Sequence, residues 1–280
     1  MKKYPITLIL LILGIISCNK DNSANSGSIK IPGTKAASPQ AKDIGIACLI
    51  LPPNLSNGLV AYYSFCADDR DKTGNSDNNP TFNNATLATD RFGGTNSAYC
   101  FNGKDQYIKG PADNFPTGNR TISIWFKANS LKPHNTLFSY GGGMCGTSFL
   151  LFLNHGPQPN AYAVTGHCEF NNCFTNCHYP PSGWNNLIVS SGDGVTKFYL
   201  NGELIHSCSD VSFSNTDVRG KDFAIGASVA PNGIAPYTDS TIDYFDGYLD
   251  DIVIYNRVLS AVEVKNLYQY FTVEPQPPAN

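Results

Sequence analysis

Glutamate is scarce in this chain of 280 residues, which contains only Glu169, Glu203, Glu263 and Glu274. The chain also lacks a Gly-x-Ser-x-Gly nucleophile elbow and a His-Glu-x-x-His zinc motif, the signatures of two large groups of hydrolases. Lysine and arginine form no basic patch, and the formal net charge is −3. These absences argue against nucleic acid as a partner and leave no familiar catalytic motif.

A long membrane-spanning run is also missing. The apolar stretch Ile6–Ile16 follows Met1-Lys2-Lys3, and its short length after a charged start is typical of a secretory signal. The segment Ile15-Ile16-Ser17-Cys18 resembles a bacterial lipobox. The resemblance implies cleavage before Cys18 and acylation of that cysteine, which would anchor the chain in a membrane. Loss of residues 1–17 leaves 17 basic and 22 acidic residues, a net charge of about −5.

The residues after Cys18 indicate where the protein is displayed. Asn19-Lys20-Asp21-Asn22 resembles the short charged export signals of surface lipoproteins. We expect an outer membrane lipoprotein exposed at the cell surface, with a periplasm-facing position as the alternative. Residues 19–43 are polar and predict a flexible tether. We assign residues 1–17 to the signal peptide, 18–57 to the lipidated cysteine and tether, with a possible first strand at 44–51, 58–270 to the folded domain and 271–280 to a Pro-rich tail.

Short apolar and aromatic runs separated by turn residues fill the predicted domain, which favours an all-β, two-sheet antiparallel sandwich. The clearest local signal is Asn201-Gly202 between two strand-like runs, typical of a type I′ hairpin turn. In Thr121–Lys127, the apolar residues Ile122, Ile124 and Phe126 alternate with Thr121, Ser123 and Trp125, and we expect both faces of this strand to be covered. One short C-terminal helix is predicted over 260–268, where Ser260 and Glu263 form a capping pattern.

Six blocks in order resemble a laminin-G-like, concanavalin A-like lectin domain. They are Gly58–Phe65, Asp90–Gly93 with Ser97–Gly103, Thr121–Lys127, Gly183–Val189, Phe198–Leu204 and Phe245–Ser260. The resemblance implies a jelly-roll sandwich in which Trp125 and Trp184 belong to core strands. It also implies a binding module rather than an enzyme, since exported bacterial members usually bind glycans or proteins.

Glycan binding is our first expectation, and a protein-binding adhesin or scaffold on the same fold is the alternative. A glycoside hydrolase is a weaker alternative, because such enzymes need two suitably spaced carboxylates. The four glutamates form no such pattern. The pairs Asp68-Asp69 and Asp250-Asp251 are expected to point to opposite faces of a strand.

Eight cysteines remain beside Cys18, and an even number in an exported chain predicts disulfides. Between His155 and Ser182 the chain departs from the family pattern, with cysteines interleaved with aromatic residues. We expect Cys145, Cys168, Cys173 and Cys177 to form disulfides that stiffen this loop, with zinc binding as the weaker alternative. The predicted ligand-binding rings are Tyr162, Phe170, Phe174 and Tyr179. The loop Val229–Tyr244, with Tyr237 and Tyr244, is the second choice.

The resemblance supports two further expectations. Cys66 and Cys100 adjoin two family strands that lie side by side, which implies a disulfide between them. No cofactor is required, but structural calcium is possible in this family. The oxygen ligands that calcium prefers would come from Asp68, Asp105, Asp250 and Asp251.

Overall fold

The computed structural model describes residues 51–156, 160–169, 172–176, 180–211, 213, 216–238 and 244–273. Within them, strands form two antiparallel sheets of eight and seven strands, which confirms the predicted sandwich. Two α-helices accompany the sheets, α1 (Pro53–Ser56) and α2 (Ala261–Thr272). No helix in these ranges is long and apolar enough to cross a membrane.

The strands alternate between the two sheets along much of the chain. In chain order they are β1 (Leu59–Tyr63), β2 (Phe82–Asn83), β3 (Thr86–Ala88), β4 (Ala98–Asn102), β5 (Ile108–Pro111), β6 (Arg120–Ala128), β7 (Asn135–Gly141), β8 (Ser148–Leu153), β9 (Tyr162–Thr165), β10 (Cys173–Phe174), β11 (Asn185–Gly192), β12 (Val195–Leu200), β13 (Glu203–Ser209), β14 (Asp222–Ile225) and β15 (Asp246–Tyr255). The eight-stranded sheet has the order β13-β12-β11-β6-β15-β4-β3, with β1 also paired to β15. The seven-stranded sheet has the order β10-β9-β8-β7-β14-β5-β2.

The main core lies between the two sheets. Successive residues of a strand point to opposite faces, so Ile122, Ile124 and Phe126 of β6 enter this core. Trp125 points the other way, into a second apolar cluster on the outer face of the eight-stranded sheet. Both faces of β6 are therefore covered, as its sequence predicted. Trp125 is buried, and Trp184 packs at the edge of the same second cluster.

Helix α2 covers this second cluster through Val264, Leu267 and Phe271. Ser260 and Glu263 form the predicted capping box, and the helix continues four residues beyond its predicted end at Tyr268. Leu51 and Leu55 pack into the same cluster. Residues just before Gly58 therefore pack with the domain whose start was predicted there. Residues 44–50 of the possible first strand at 44–51 lie outside the described residues, and Leu51 is not part of a strand.

The hairpin between β12 and β13 has the predicted turn, since Asn201 and Gly202 both have positive φ. A disulfide between Cys173 and Cys208 connects the edge strands β10 and β13. One edge of each sheet is thereby joined covalently. Residues of both α-helices pack into the second cluster on the eight-stranded sheet, and the candidate site lies on the outer face of the seven-stranded sheet.

Candidate functional site

A groove of about 620 Å³ lies on the outer face of the seven-stranded sheet. Its floor comes from β8, where Phe149, Leu151 and Leu153 point into the main core. The intervening Leu150 and Phe152 form a separate cluster on the outer face. Alternation along one strand thus supplies both the core and the groove.

One wall of the groove is built from closely packed rings. His134 and His155 meet edge to face with ring centroids 4.3 Å apart, and Phe152 stacks on His155 at 4.5 Å. Phe174 of β10 is tilted against His155 at 5.9 Å. Gly156 allows this approach, because a Cβ there would lie 2.4 Å from the Phe174 ring. The wall therefore offers several ring faces held together by mutual packing.

The opposite wall comes from two loops. His167 Nε2 lies 2.9 Å from the carbonyl oxygen of Val229. The backbone N–H of His167 donates a hydrogen bond to Ser148 Oγ at 3.1 Å. Tyr237 approaches the His167 ring edge-on at 6.1 Å. A disulfide between Cys145 and Cys168 ties this wall to the loop after β7. The backbone carrying His167 is thus held from two directions.

The groove is polar but has little charge at neutral pH. Burial, and to a lesser extent the neighbouring His134, lower the pKa of His155 to about 4. Burial also lowers the pKa of His167, against the opposing effect of its backbone hydrogen bonds. Two buried atoms of lining residues, His155 Nδ1 and Asn172 Oδ1, have no hydrogen-bond partner among the described residues. Such atoms are rare, and water or a ligand usually accounts for them.

Of the four predicted ligand-binding rings, one lines the groove, one is buried in the core and two lie outside the described residues. Phe174 lines the groove, as expected of a binding ring. The prediction for Tyr162 is wrong, because that side chain is only 1 % exposed and packs in the main core near Phe126. Tyr162 begins strand β9 instead of lying in a loop, and its position in the alternation points inward. Phe170 and Tyr179 lie outside the described residues.

The cysteines confirm disulfides and correct one partner. Cys145 and Cys168 are bonded within the predicted set, whereas Cys173 is bonded to Cys208, which we had not placed in that set. These bonds occupy the sulfurs of Cys168 and Cys173, two of the three cysteines between His155 and Ser182 that could have bound zinc. Among the described residues, the one cluster of three potential metal ligands is Cys173, His206 and Cys208. Both sulfurs of this cluster are joined in the Cys173–Cys208 disulfide. Cys177 and the lipidation site Cys18 lie outside the described residues.

Cys66 and Cys100 are each disulfide-bonded, and the bond between them stays a prediction. The strands concerned, β1 and β4, pair with successive parts of β15. They therefore follow one another along that strand, whereas the resemblance implied that they lie side by side.

The four proposed calcium ligands have protein partners. Asp68 forms an ion pair with Lys72 at 2.5 Å, and Asp105 accepts a hydrogen bond from Asn102 at 2.7 Å. Asp250 and Asp251 both bind the guanidinium of Arg91, at 2.5 and 2.7 Å. Calcium binding by any of the four stays a prediction.

The expectation that Asp250 and Asp251 point to opposite faces is wrong. A bulge shifts the register of β15 between Asp250 and Val253, and Asp251 has a φ of 41°. An extra residue in a strand interrupts the alternation of side chains. Both carboxylates therefore reach Arg91 under helix α2, on the sheet opposite the groove.

The sequence did not predict His134, Phe152 and His155 as lining residues of the groove. Tyr237 was predicted only as part of the second-choice binding loop, Val229–Tyr244. The run Ser148–Leu153 is apolar at nearly every position, so its pattern could not show which face is outward. A usable signal was the concentration of His134, His155 and His167 in the same part of the chain as the cysteine-rich loop.

The chain matches one known protein family. A family model described as the concanavalin A-like lectin/glucanases superfamily matches residues 102–265, more than half of the chain. A search of curated protein sequences found no match.

Several solved structures share the fold. Domain 4 of AbnA, a GH43 extracellular arabinanase from Geobacillus stearothermophilus solved with arabinotriose, has 23% identity and a TM-score of 0.57, covering 75% of this chain and 98% of that one. The binding domain of Paraclostridial Mosquitocidal Protein 1 has 14% identity and a TM-score of 0.55, covering 78% and 53%. The ligand binding domain of Botulinum neurotoxin serotype D, in complex with N-acetylneuraminic acid, has 15% identity and a TM-score of 0.54, covering 77% and 52%. The present chain thus spans about half the length of the last two.

Proposed function

The chain belongs to the concanavalin A-like lectin/glucanase superfamily, and from this premise we propose that its domain binds glycans in the groove on the seven-stranded sheet. The observation that carries the proposal is the wall of packed rings from His134, Phe152, His155 and Phe174. Two fold neighbours are named as binding domains, one of them solved with N-acetylneuraminic acid, and domain 4 of AbnA was solved with arabinotriose.

Rings and polar atoms in one groove suit a sugar. A sugar ring has apolar C–H faces, which pack on aromatic surfaces, and a rim of hydroxyl groups that need hydrogen-bond partners. The groove supplies Phe174 and Tyr237 on opposite walls. Hydroxyl groups or water could satisfy His155 Nδ1 and Asn172 Oδ1 after small side-chain rotations. The volume of about 620 Å³ lies within the usual range for small-molecule sites.

We further propose that the domain binds without cutting. Glycoside hydrolysis ordinarily needs two carboxylates flanking the scissile bond, and the described lining residues include neither Asp nor Glu. Of the two adjacent carboxylate pairs, Asp250 and Asp251 are buried on the other sheet and bound to Arg91.

The anchor is part of the proposal. Acylation of Cys18 would hold the domain at the outer membrane, with surface exposure proposed and a periplasm-facing position as the alternative. Cys18→Ser should move the protein out of the membrane fraction of cells. Unchanged membrane partitioning of that variant would overturn the anchor but not glycan binding.

Substitution of groove rings tests the binding site. Arabinotriose and a broad glycan array serve as probes, and the best ligand is then titrated by calorimetry. Phe174→Ala and Tyr237→Ala should each weaken binding by about 1 to 3 kcal/mol, roughly 5- to 150-fold. Phe82→Ala is the matched control, because Phe82 is 40% exposed on β2, the opposite edge strand of the same sheet.

The outcomes separate the alternatives. Binding that is unaffected by both groove variants would place the site elsewhere. Binding to proteins but to no glycan would favour the adhesin. Release of reducing sugar from any polysaccharide by the purified protein would show that the domain is an enzyme.

A further inference from the structure

The groove is built from a part of the chain that has no positive charge. Its described lining residues include no Lys, Arg, Asp or Glu. The two stretches that supply them, residues 133–196 and 222–256, contain neither lysine nor arginine anywhere in the sequence. Therefore the parts of these stretches outside the described residues cannot bring a Lys or Arg side chain to the groove either.

Two of the groove imidazoles, those of His155 and His167, do not replace the missing cations at neutral pH. His155 has a pKa of about 4 because it is buried beside His134, so its ring is uncharged. His167 is also shifted toward the neutral form by burial. Neutral imidazole has one donor and one acceptor nitrogen, which matches the hydroxyl groups of a sugar.

An anionic sugar would lose hydration on entering such a groove and would find no Lys or Arg side chain among the described lining residues to compensate for that loss. A carboxylate or sulfate loses hydration when it is bound, and this loss is offset only by a paired cation or strong hydrogen bonds. Hydroxyl groups are far less strongly hydrated than anions and can exchange their water for hydrogen bonds to the neutral polar side chains of the lining, while the C–H faces of the sugar pack on the aromatic rings. The chemistry of the lining therefore separates ligands by charge.

We infer that the groove selects uncharged oligosaccharides and discriminates against sialylated, uronic-acid and sulfated glycans. The inference rests on the proposed function and adds the ligand class to it. It concerns the charge of the sugar next to the ring wall and leaves the identity of the neutral sugar to experiment.

Matched ligand pairs at pH 7.5 provide the test. Carboxyl-reduced 3′-sialyllactose is paired with 3′-sialyllactose, and carboxyl-reduced polygalacturonan with polygalacturonan, so that the members of each pair differ chiefly in charge. The array of neutral and acidic glycans extends the comparison. Neutral members should bind more tightly by at least roughly tenfold, the consequence of one uncompensated interaction of modest size.

A salt series distinguishes selectivity that comes from the groove lining from selectivity that comes from the net charge of the protein. The chain has a formal net charge of −3, which repels anions weakly and is screened by salt. The preference for neutral members should persist in 1 M NaCl. A preference that disappears there would assign it to net charge and overturn the inference.

A charge introduced into the groove gives an independent arm. Asn172→Lys places a cation among the lining residues, and it should shift the ratio of acidic to neutral affinity by roughly tenfold toward the acidic member. Leu204→Lys is the control, since Leu204 is 54% exposed on β13 of the other sheet and should leave the ratio unchanged. Thermal melts show whether both variants are folded, and the wild-type ratio is informative by itself.

The two proposals fail in different ways. If acidic members bind more tightly and Phe174→Ala abolishes that binding, the groove binds glycans but this inference is wrong. If no member of the array binds, or binding ignores the groove variants, the proposed function fails and the inference falls with it.

Discussion

The buried charges of Arg91, Asp250 and Asp251 are paired with one another at close range. Arg91 lies under helix α2 with a side chain only 6% exposed, and it pairs with Asp250 and Asp251. Its Nε and Nη2 also donate to the carbonyl oxygen of Phe271, and its guanidinium lies 4.5 Å from the Trp125 ring. Tyr62 donates a further hydrogen bond to Asp251 at 2.6 Å.

Removal of Arg91 should therefore be severe. Arg91→Ala leaves two buried carboxylates without their cation, and we expect the free energy of unfolding to fall by about 3 to 5 kcal/mol. Lys72→Ala is the control, because its pair with Asp68 is partly exposed and should contribute less than about 1 kcal/mol. Urea denaturation measures both. Equal effects of the two substitutions would contradict the importance of the buried cluster.

At the scale of elements, helix α2 shows how local and tertiary signals combine. Its start was readable because Ser260 and Glu263 satisfy the first backbone N–H groups reciprocally. The helix ends at Thr272, beyond the predicted Tyr268, because the side chain of Phe271 packs into the second apolar cluster. The carbonyl oxygen of Phe271 also accepts a hydrogen bond from Arg91. A distant residue thus helps to stabilise the last turn.

The cap provides a test that depends on pH. Ser260→Ala should lower the free energy of unfolding by about 0.5 to 2 kcal/mol. Arg257 and the hydrogen bonds from Ser260 lower the pKa of Glu263 from 4.5 to about 2. A lowered folded-state pKa stabilises the fold above pH 4.5, and this contribution disappears as the pH falls toward 2.

The stability difference between wild type and Glu263→Gln should accordingly shrink between about pH 5 and pH 2. Chemical denaturation at several pH values measures it, with Glu203→Gln on exposed β13 as the charge-loss control. A difference that stays constant with pH would show that the ionised carboxylate has no role in the cap.

At the scale of the whole molecule, two disulfides of similar loop length serve different regions. Cys173–Cys208 joins the edges of the two sheets, and Cys145–Cys168 borders the groove. Their sequence separations of 35 and 23 residues give similar restrictions on the unfolded chain. Position, rather than loop length, should then decide what each bond does for ligand binding.

Paired serine substitutions separate these roles. Removal of either disulfide should lower the free energy of unfolding by about 3 to 4 kcal/mol. Only Cys145→Ser with Cys168→Ser should also weaken glycan binding, because that bond holds the backbone that carries His167. Calorimetry on both double variants at a temperature where each is folded checks this. Equal loss of affinity in the two would contradict a specific role at the groove.

Much of the architecture was readable from the sequence alone. Alternation in Thr121–Lys127, the Asn201-Gly202 turn and the capping box at Ser260 are local signals, and each formed the predicted element. The ordered family blocks then indicated the two-sheet sandwich. Local signals succeed where the free energy is decided by neighbours in the chain, as in turns and caps.

The tertiary structure alone decided what these elements do together. Tyr162 entered the core because β9 pairs with β8 in a register that turns its ring inward. A bulge in β15 brought Asp250 and Asp251 to one arginine. His134, Phe174 and Tyr237 meet in one groove although they are far apart in sequence. Alternation shows which residues share a face of a strand, but only the pairing of strands determines which face is buried and which distant loops it meets.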